Sequence, residues 1–541
     1  MPLTPLPTTT DVLIVGGGPV GLAMAVELGK RGIDAVQVER NSEVGRQPRA
    51  KTTNVRTMEH MRRWGLAEKV RDAAPFGRDY PSNVVFATRL FGHCLALFEN
   101  VSSGVKEENP KFSEPMQWIA QYHIERILRD EVLRLPSIKL VMDCEMTVFT
   151  QDDDGVTATI QREGEAPQQI RAKYLVGADG GRSGVRKALG FAMEGRSAFQ
   201  TNIGAVFRAP GLSEAHPQGP ANMYWVVNQD APAMLGPMDR GDLWFTIMPT
   251  APDETPTAEQ VRQKLFQAIG QEWEIEILTL DPWAAHSLVS NGHQKGRVIL
   301  IGDACHLHPP FGGFGLNMGV ADAVDVGWKL AATLQGWGGP NLLASFTPER
   351  QPVHVKVIEE AVANTQVLTK DLVRGDLDGN DAASVATRAA LGAEILEKKE
   401  REFHTLGVVL GICYDRSPIN ANEQGPRPHW HFADYTQNAQ PGALAPHLWL
   451  KPGLSLYDQF GQGFTLLVTG AGSEDDIQAL TEAAAARNIP LTVLAPNDPR
   501  LAPLYESRLA LIRPDQYVAW RGDRLDRSAG ALLDLVTGRV Q

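Results

Sequence analysis

The chain has 541 residues and a formal net charge of −12 at pH 7, with 43% hydrophobic and 21% charged residues. A single hydrophobic core does not extend over this length, so two to four domains are expected, and the acidic charge argues against a nucleic-acid partner. The four cysteines are scattered without a CxxC pair, which disfavours a disulfide scaffold or a structural zinc site and favours a reducing cytoplasm.

The opening segment, MPLTPLPTTT, has neither the basic region nor the apolar region of a signal peptide. The longest apolar runs in the chain have the length of β-strands, so no membrane span is predicted. These two features predict a cytoplasmic protein that has no membrane partner.

The first motif, DVLIVGGGPVGLAMAVELGKRGIDAVQVER, has the pattern of a complete β–α–β unit. Residues 11–15 form a short apolar run typical of a buried parallel strand, and residues 22–31 are rich in helix formers. A second apolar run, residues 35–38, ends at Glu39. The glycines between the first strand and the helix form a GxGxxG pattern: Gly16, Gly18 and Gly21.

This arrangement predicts a dinucleotide-binding turn. Gly16 permits the tight turn, Gly18 lets the backbone approach a pyrophosphate, and Gly21 lets the helix pack closely on the strand. The helix N-terminus offers free N–H groups to the phosphates, and Glu39 can accept hydrogen bonds from an adenosine ribose. The pattern alone does not distinguish FAD from NAD.

The second motif, KYLVGADGGRSGVRKALG, has a strand-like run at residues 174–177 and a turn at Asp179-Gly180. Ser183 and Arg186 follow on a predicted short helix. The residues alone leave two interpretations open: a strand–turn–helix corner whose aspartate caps the helix, or a functional motif.

Residues 201–249 alternate strand-like runs with turns, which predicts an antiparallel sheet. Several aromatic and thioether side chains lie in these runs: Met223, Tyr224, Trp225, Met234, Trp244 and Met248. Any one of them fits an ordinary half-buried sheet. As a set they predict a pocket for a flat apolar ring.

The third motif, RVILIGDACHLHPPFGGFGLN, begins with a predicted strand at residues 298–301 that leads into Asp303. Open α/β sheets bind ligands at the carboxyl ends of their strands. Three glycines leave the next backbone segment uncovered, and a helix is predicted from Leu316-Asn317 to about residue 330. Its N-terminal N–H groups can face the negative charge of a reduced flavin, so the segment suits an isoalloxazine ring.

A metal site is the alternative for this segment. Its ligand types are plausible: Asp303, Cys305, His306 and His308. Zinc ligands usually stand further apart along the chain, and the Pro309-Pro310 pair stiffens the loop that would have to bring these together. The sequence therefore disfavours a metal here and favours hydrogen-bonded loop histidines.

The C-terminal third has its own pattern. Residues 382–399 are predicted to form an amphipathic helix, and residues 416–445 are rich in Pro, Asn, Gln and Gly, as in a linker. Another β–α–β unit follows residue 454. Two further strands are interrupted at Arg513-Pro514 before a last helix.

In this order and spacing, the GxGxxG, GADG and GDAxHxxPPxGGxGxN motifs resemble those of the class A flavoprotein monooxygenases, the p-hydroxybenzoate and phenol hydroxylase family. The segments PRAKTTNVRTMEHMRRWGL (residues 48–66) and QYHIERIL (residues 121–128) also resemble that family. The resemblance covers nearly the whole chain.

The resemblance implies that a common set of residues binds FAD: Gly16, Gly18, Gly21, Glu39, Arg40, Arg49, Gln121, Asp179, Asp303, Gly315, Leu316 and Asn317. It implies that Asp179 serves both FAD and NAD(P)H and that Asp303 binds the ribityl chain. Leu316 and Asn317 would offer backbone N–H groups to the pyrimidine edge of the flavin, and Pro309 would lie beside its reactive face.

For the substrate, the resemblance and the aromatic runs together suggest one pocket: Gln47, Met223, Trp225, Met234, Trp244 and Phe314. Tyr224 is the candidate for contact with a phenol. The chain departs from the family at two of these positions. Many members have glutamine where Phe314 stands, and some have histidine where Gln47 stands.

The fold implied is α/β: a Rossmann-like FAD-binding domain (residues 1–185 and 290–400) interleaved with an antiparallel β-sheet substrate domain (186–289). A linker (401–445) and a thioredoxin-like domain (446–541) that contains no cysteine would follow. A homodimer is a further expectation.

The function implied is hydroxylation of a phenolic aromatic by tightly bound FAD, with NAD(P)H as a transient co-substrate and O2 reacting through a flavin C4a-hydroperoxide. Two alternatives stay open: a tailoring hydroxylase for polyketides or other natural products, and a flavin-binding protein without turnover. A flavin-dependent halogenase is disfavoured because the WxWxIP pattern is missing.

Overall fold

The computed structural model describes residues 6–45, 49–77, 79–104, 108–365, 372–374 and 377–540. The helices, numbered in chain order, are α1 (Pro19–Lys30), α2 (Val55–Arg63), α3 (Ala67–Ala73), α4 (Gln121–Val132), α5 (Gly184–Ala188), α6 (Leu212–Ala215), α7 (Ala258–Ile269), α8 (Phe314–Leu334), α9 (Phe346–Thr365), α10 (Ala382–Phe403), α11 (Leu406–Leu410), α12 (Glu474–Ala485), α13 (Leu501–Tyr505) and α14 (Ala529–Val536). None of the described helices is long and apolar enough to cross a membrane.

Within the described residues, the strands form three main sheets and two short ribbons. In chain order they are β1 (Thr9–Val15), β2 (Ala35–Val38), β3 (Thr52–Thr53), β4 (Val84–Ala87), β5 (Cys94–Phe98), β6 (Gln117–Trp118), β7 (Ile138–Val141), β8 (Cys144–Gln151), β9 (Val156–Arg162), β10 (Gln168–Gly177), β11 (Met193–Arg208), β12 (Met223–Val226), β13 (Ala233–Pro237), β14 (Leu243–Thr250), β15 (Glu276–Ser290), β16 (Gln294–Lys295), β17 (Val298–Leu300), β18 (His306–Leu307), β19 (Trp449–Lys451), β20 (Leu454–Ser455), β21 (Phe464–Val468), β22 (Leu491–Leu494), β23 (Leu509–Ile512) and β24 (Val518–Gly522).

The first sheet is built on the predicted β–α–β unit. Its order is β16-β17-β10-β1-β2-β7, and β1 pairs in parallel with both β2 and β10. The apolar runs form central strands because both of their faces are covered. The carboxyl ends of β1, β10 and β17, which carry the three sequence motifs, therefore meet at one edge of this sheet.

Helices α1 and α8 pack closely against one another beneath that edge. A Cβ atom at Gly319 would lie 2.4 Å from the Val20 side chain and 3.2 Å from the Gly302 Cα atom. Glycine at this crossing therefore brings the third motif directly beside the first.

The second sheet confirms the predicted antiparallel region and extends it. Its order is β18-β15-β11-β14-β13-β12-β4-β5, with β12 parallel to β4. Strands β4 and β5 come from the predicted first FAD-binding segment, and β18 comes from the second. The sheet therefore reaches beyond residues 186–289 in both directions. Helix α7 covers one face, where Val261, Leu265 and Ile269 are fully buried.

The C-terminal domain has the expected mixed sheet, in the order β22-β21-β23-β24, with β21 parallel to β22 and antiparallel to β23. Leu480 of α12 and Leu532 of α14 share one buried cluster with Trp328 of α8. The predicted linker is packed rather than free, since Tyr414 and Tyr435 are both buried. The C-terminal domain is thus docked on the helix that carries the third motif.

A buried ion cluster fastens this docking. Arg513, in the turn between β23 and β24, lies 2.6 Å from Glu349 of α9, 3.2 Å from Asp325 of α8 and 2.7 Å from Asp515. Lys329 of α8 contacts both Asp325, at 2.8 Å, and Glu349, at 2.6 Å. Burial opposes the charge on Arg513, but the neighbouring carboxylates raise its pKa well above the ordinary value. The Arg513 guanidinium therefore stays charged although water does not reach it, whereas burial raises the pKa of Asp325 to about 7.

A buried histidine makes a second link between the domains and leads to a pH prediction. His447 Nδ1 lies 3.1 Å from the Pro110 carbonyl oxygen, and its Nε2 lies 3.0 Å from the Ser455 hydroxyl. Burial lowers the pKa of His447 to about 4. The unfolded chain takes up this proton near pH 6.5. The contribution of His447 to the free energy of unfolding is therefore complete above pH 6.5. It falls by up to about 3 kcal/mol as the pH drops towards 4.

Thermal unfolding of the wild type and of His447→Gln between pH 7.5 and 4.5 checks this prediction. Glutamine keeps a donor and an acceptor but does not titrate. We expect the melting temperature of the variant to fall less steeply below pH 6.5. Parallel curves for the two proteins would contradict the assignment.

Candidate active site

The glycines of the first turn have the geometry that a dinucleotide requires. Gly16 has φ +114°, and a Cβ atom there would lie 2.3 Å from the Ala178 carbonyl oxygen. A Cβ atom at Gly21 would lie 2.1 Å from the Gly16 carbonyl oxygen, whereas one at Gly18 would meet nothing within 4 Å. Gly16 and Gly21 are therefore required by the fold, while Gly18 keeps open the space in front of the N-terminus of α1. That open cradle fits a pyrophosphate.

Glu39 stands at the end of β2, beside this turn. Its Oε2 accepts a hydrogen bond from Gly17 N at 2.6 Å, and its Oε1 accepts from Asn41 N at 2.9 Å. The carboxylate is thus held at the mouth of the turn and remains partly accessible. Arg40, the next residue, is exposed.

The second motif meets the first at Gly16 and the third at Arg186. Asp179 follows β10, and its Oδ2 accepts a hydrogen bond from Val185 N at 3.1 Å, while the Ser183 hydroxyl caps α5. Arg186 donates to the carbonyl oxygens of Gly181, at 3.2 Å, and Ala304, at 3.0 Å. The hydrogen bonds of Asp179 and Ser183 therefore stabilise the corner itself. The corner also connects the turn after β1 to the turn after β17.

Asp303 lies exposed in the turn after β17, although protein surrounds its carboxyl group. That surrounding raises the pKa of Asp303, while His306 and Arg49 lower it. Arg49 also acts on Glu125, which accepts a hydrogen bond from Gln121 Nε2 at 2.7 Å. Arg49 therefore links Asp303 to the Glu125–Gln121 pair, and the region between these residues is here called the cleft.

The N-terminus of α8 closes the far end of this cleft. Gly313, with φ +66°, precedes the helix without a side-chain cap, and a Cβ atom at Gly315 would meet nothing within 4 Å. The first N–H groups of the helix have no intrahelical partner. The Asn317 side chain is structural, since its Nδ2 donates to the Thr52 carbonyl oxygen at 3.0 Å and its Oδ1 accepts from Asn54 N at 3.0 Å. The backbone N–H groups around Leu316 therefore supply the polar surface.

A buried histidine network anchors the loop that carries Pro309. His306 Nε2 lies 2.7 Å from Asp322, whose other oxygen accepts from Arg350 Nε at 2.8 Å. Burial alone would raise the pKa of Asp322, but the charges of His354, Arg350 and His306 lower it well below the ordinary value. The rings of His306 and His354 stack at 3.8 Å. Pro309 itself is buried beside this network.

The metal alternative rests on the same residues. One nitrogen from each of His306, His308 and His354 lies within 4.8 Å of the others, as do ligand atoms of Cys305, His306 and Asp322. The Cys305 thiol already lies 3.4 Å from the Leu300 carbonyl oxygen, and burial raises its pKa well above the ordinary value. Burial therefore disfavours the thiolate form that Cys305 would need to bind a metal.

The face of the second sheet that meets the third motif is mainly apolar, and the buried Lys399 amine lies 4.7 Å from the Trp225 ring centroid and 5.9 Å from that of Phe311. Met223, Trp225 and Met234 are on this face, and Trp225 lies 6.4 Å from the Phe311 ring, between centroids. Trp225 also stacks on Phe86 at 5.6 Å. Phe311 is not among the pocket residues predicted from the sequence, although its place immediately before the glycines could have indicated it.

The structure corrects four pocket expectations. Tyr224, Trp244 and Met248 lie on the opposite face, in the cluster beneath α7, because successive residues of a strand point to opposite sides. The Tyr224 hydroxyl donates to the Gly219 carbonyl oxygen at 2.7 Å and accepts from Ala221 N at 2.9 Å. Phe314 is 1% exposed and packs in the core between α2 and α9. Gln47 lies outside the described residues.

The sequence matches two known protein families. Residues 9–361 match the FAD binding domain family, and residues 438–539 match the aromatic-ring hydroxylase C-terminal family. The tetracenomycin B2 monooxygenase-dioxygenase of Streptomyces olivaceus is 32% identical over 98% of both chains. The FAD-dependent monooxygenase apdD of Emericella nidulans is 30% identical over 95% of this chain and 87% of its own.

Solved structures agree with these matches. The rebeccamycin biosynthetic enzyme RebC with reduced flavin superposes with a TM-score of 0.91 at 34% identity, covering 99% of this chain and 100% of its own. Aklavinone-11 hydroxylase with FAD and aklavinone superposes with a TM-score of 0.84 at 28% identity, covering 98% and 99%. The cofactor is FAD, and the chain belongs to the FAD-dependent aromatic-ring hydroxylases, a family of flavoprotein monooxygenases.

Proposed function

We propose that this enzyme hydroxylates a phenolic ring, with tightly bound FAD, NAD(P)H as the reductant and O2 as the oxygen donor. The observation that carries the proposal is the apolar face of Met223, Trp225, Met234 and Phe311 beside the cleft of the third motif. A flat ring that enters there would lie between the second sheet and the flavin.

Within this proposal, FAD would be held by the residues implied by the family: Gly16, Gly18, Gly21, Glu39, Arg40, Arg49, Gln121, Asp179, Asp303, Gly315, Leu316 and Asn317. Glu39 would hold the ribose, Asp303 the ribityl chain and the N-terminus of α8 the pyrimidine edge. When bound, FAD supplies hydride acceptance from NAD(P)H and the transfer of one oxygen atom from O2 to the ring.

The chain itself contributes orientation, charge stabilisation and exclusion of water. The free N–H groups at the start of α8 would stabilise negative charge on a bound flavin. Pro309 would stand beside its reactive face. The apolar sheet face keeps water from the reacting atoms and places the ring in contact distance.

A natural-product substrate is the second candidate, and the names of the relatives favour it. The similar proteins include a tetracenomycin enzyme, an aklavinone hydroxylase and a 2,4-dichlorophenol 6-monooxygenase. Two more relatives are polyketide hydroxylases by name, whereas the dichlorophenol enzyme points to a simple phenol.

NAD(P)H oxidation by the purified yellow protein, measured across simple phenols and polycyclic phenols with hydrogen peroxide assayed alongside, tests the proposal. We expect one class to stimulate oxidation several-fold with little peroxide. Slow oxidation that no compound stimulates would instead support a flavin-binding protein without turnover.

A further inference from the structure

The second sheet has one closed face and one partly open face. Beneath α7, three cross-strand neighbours are almost fully buried: Ala205, Thr246 and Leu235. On the opposite side, the adjacent row of cross-strand neighbours is partly exposed: Gly204, Ile247 and Met234. This row ends at Trp225, which pairs with Met234. A small molecule can therefore reach the middle of the sheet from this side, here called the open face.

The loop of the third motif crosses the open face. The loop begins at β18, which pairs with β15 at one edge of the sheet, and its Phe311 ring contacts the Trp225 ring on β12. Strands β11, β14 and β13 lie between β15 and β12. The open face of these three strands therefore lies against the segment that is proposed to meet the flavin.

Two amide side chains stand at one end of the open face. Gln200, Asn202 and Gly204 are alternate residues of β11, so they share this side of the strand. Gln200 Nε2 donates a hydrogen bond to Asn202 Oδ1 at 2.9 Å, and Asn202 is 3% exposed. Asn202 Nδ2 and Gln200 Oε1 are buried without a hydrogen-bond partner among the described residues. Unpaired buried amide atoms are costly, so the pair calls for a ligand that satisfies both.

An aromatic ring lies beside the two amides. Trp283 of β15 stands opposite Asn202, and a Cβ atom at Gly204 would lie 3.5 Å from the indole Nε1. Glycine at residue 204 therefore leaves the indole ring room to lie along the open face. Trp283 is itself partly exposed, so its ring can contact a ligand. Aromatic side chains favour flat aromatic ligands through stacked and edge-to-face contacts.

One hydroxyl group satisfies both unpaired amide atoms. A hydroxyl carries one donor and two acceptor lone pairs, so it can donate to Gln200 Oε1 and accept from Asn202 Nδ2. If both amides were turned over, one oxygen and one nitrogen would again be left without a partner. Neither amide carries a charge, and a phenolate has no proton to donate to the oxygen. The pair therefore matches a neutral hydroxyl better than an ionised one.

We propose that Gln200 and Asn202 bind the un-ionised phenolic hydroxyl of the substrate, with the Trp283 ring beside the aromatic ring that carries it. The two hydrogen bonds fix the position of the hydroxyl, and the ring extends from there along the open face towards Met234. The amides hold the proton and do not remove it, so their role is to determine specificity and orientation. This inference rests on the proposed hydroxylation of a phenol.

The test compares two phenols with the same rings without the hydroxyl. The probes are 2,4-dichlorophenol with 1,3-dichlorobenzene, and 1-naphthol with naphthalene. Each is titrated into the flavin-loaded enzyme at a pH where the phenols are un-ionised, and binding is followed by flavin absorbance. The variants are Gln200→Met and Asn202→Leu. Both replace a polar side chain by an apolar one of similar size, which costs little stability where the polar atoms have no partner.

Thr246→Val is the matched control. Thr246 lies on the neighbouring strand β14 and is 1% exposed, and its Oγ1 is also buried without a hydrogen-bond partner among the described residues. Its neighbours Ala205 and Leu235 belong to the cluster beneath α7, so Thr246 faces away from the open face. The variant therefore removes an equivalent polar atom from the same sheet without touching the proposed site.

We expect the wild type and Thr246→Val to bind each phenol at least about tenfold more tightly than its hydroxyl-free analogue, because the analogue leaves both amides unpaired. In Gln200→Met and Asn202→Leu this ratio should fall to about threefold or less. A wild type without this preference, or an unchanged ratio in either variant, would overturn the proposal. The hydroxylase function would still stand if phenols stimulate NAD(P)H oxidation. Failure of every phenol to bind or stimulate the wild type would overturn both.

Discussion

Arg513→Met is expected to be strongly destabilised. Methionine fills a similar volume, but it leaves the buried Glu349 carboxylate with Lys329 as its only ion-pair partner among the described residues. Removing one partner from a buried ionic cluster costs about 3–5 kcal/mol, because the remaining charge has no compensation. The loss should appear as a lower melting temperature and, since Arg513 joins the C-terminal domain to α8, as earlier separation of that domain. Thermal unfolding at a fixed scan rate checks the first effect, and limited proteolysis checks the second.

Arg487→Met is the matched control. Arg487 belongs to the same domain and lies 2.8 Å from Asp534, but both side chains are 26% exposed. Such surface pairs contribute about 0–1 kcal/mol. Equal melting temperatures for Arg513→Met and Arg487→Met would show that the buried cluster does not hold the domains together.

Gly18→Ala is expected to lose flavin while remaining folded. Gly18 has φ −71°, which alanine adopts freely, and its Cβ atom would project into open space in front of α1. The fold should lose less than about 1 kcal/mol, the cost of a poorer helix cap. If the pyrophosphate occupies that space, the methyl group stands in its place, and FAD affinity should fall at least tenfold, or about 1.4 kcal/mol. Flavin titration of the apoprotein measures this fall.

Two other glycines calibrate the Gly18→Ala result. Gly16→Ala should damage the fold itself, because its Cβ atom would meet the Ala178 carbonyl oxygen at 2.3 Å. Gly470→Ala, in the C-terminal domain, would meet only the Arg508 side chain at 3.5 Å and should keep both fold and flavin. Wild-type flavin affinity in Gly18→Ala would refute the proposed position of the pyrophosphate.

Much of the cofactor half of the molecule could be predicted from sequence because its signals are local. The strand at residues 35–38 is found at those bounds, and the parallel pairing of β1 with β2 follows from the short helix between them. Glycine positions report backbone requirements directly, so the turn at Gly16 could be interpreted without the fold. Helix α8 begins at Phe314 rather than at residue 316, a difference of two residues at an end.

The substrate half of the molecule was harder to predict, because the position of a residue in the sheet, and not its type, decides which face its side chain occupies. Aromatic and thioether content alone grouped Tyr224 and Trp244 with Trp225 and Met234. The two-residue period of a strand separates Tyr224 from Trp225, but it does not tell which of the two faces the cofactor. That depends on how the sheet packs on the rest of the protein, which local patterns do not give.

Long-range contacts were beyond prediction altogether. Strand β4 joins the second sheet beside β12, more than a hundred residues away in sequence, and Arg513 reaches α8 and α9 from the far end of the chain. Lys51 stands in a segment already identified by its resemblance, yet nothing local indicates that its amine meets the ring of Phe245. Such pairings depend on the packing of whole domains.

The most direct test of the central claim is turnover under ¹⁸O2 with the phenol that best stimulates NAD(P)H oxidation, followed by mass spectrometry of the product. A monooxygenase places one atom of ¹⁸O in each product molecule, with one NAD(P)H consumed and little peroxide released. Product without ¹⁸O, or stoichiometric peroxide with unchanged phenol, would contradict the assignment of this chain as an aromatic hydroxylase.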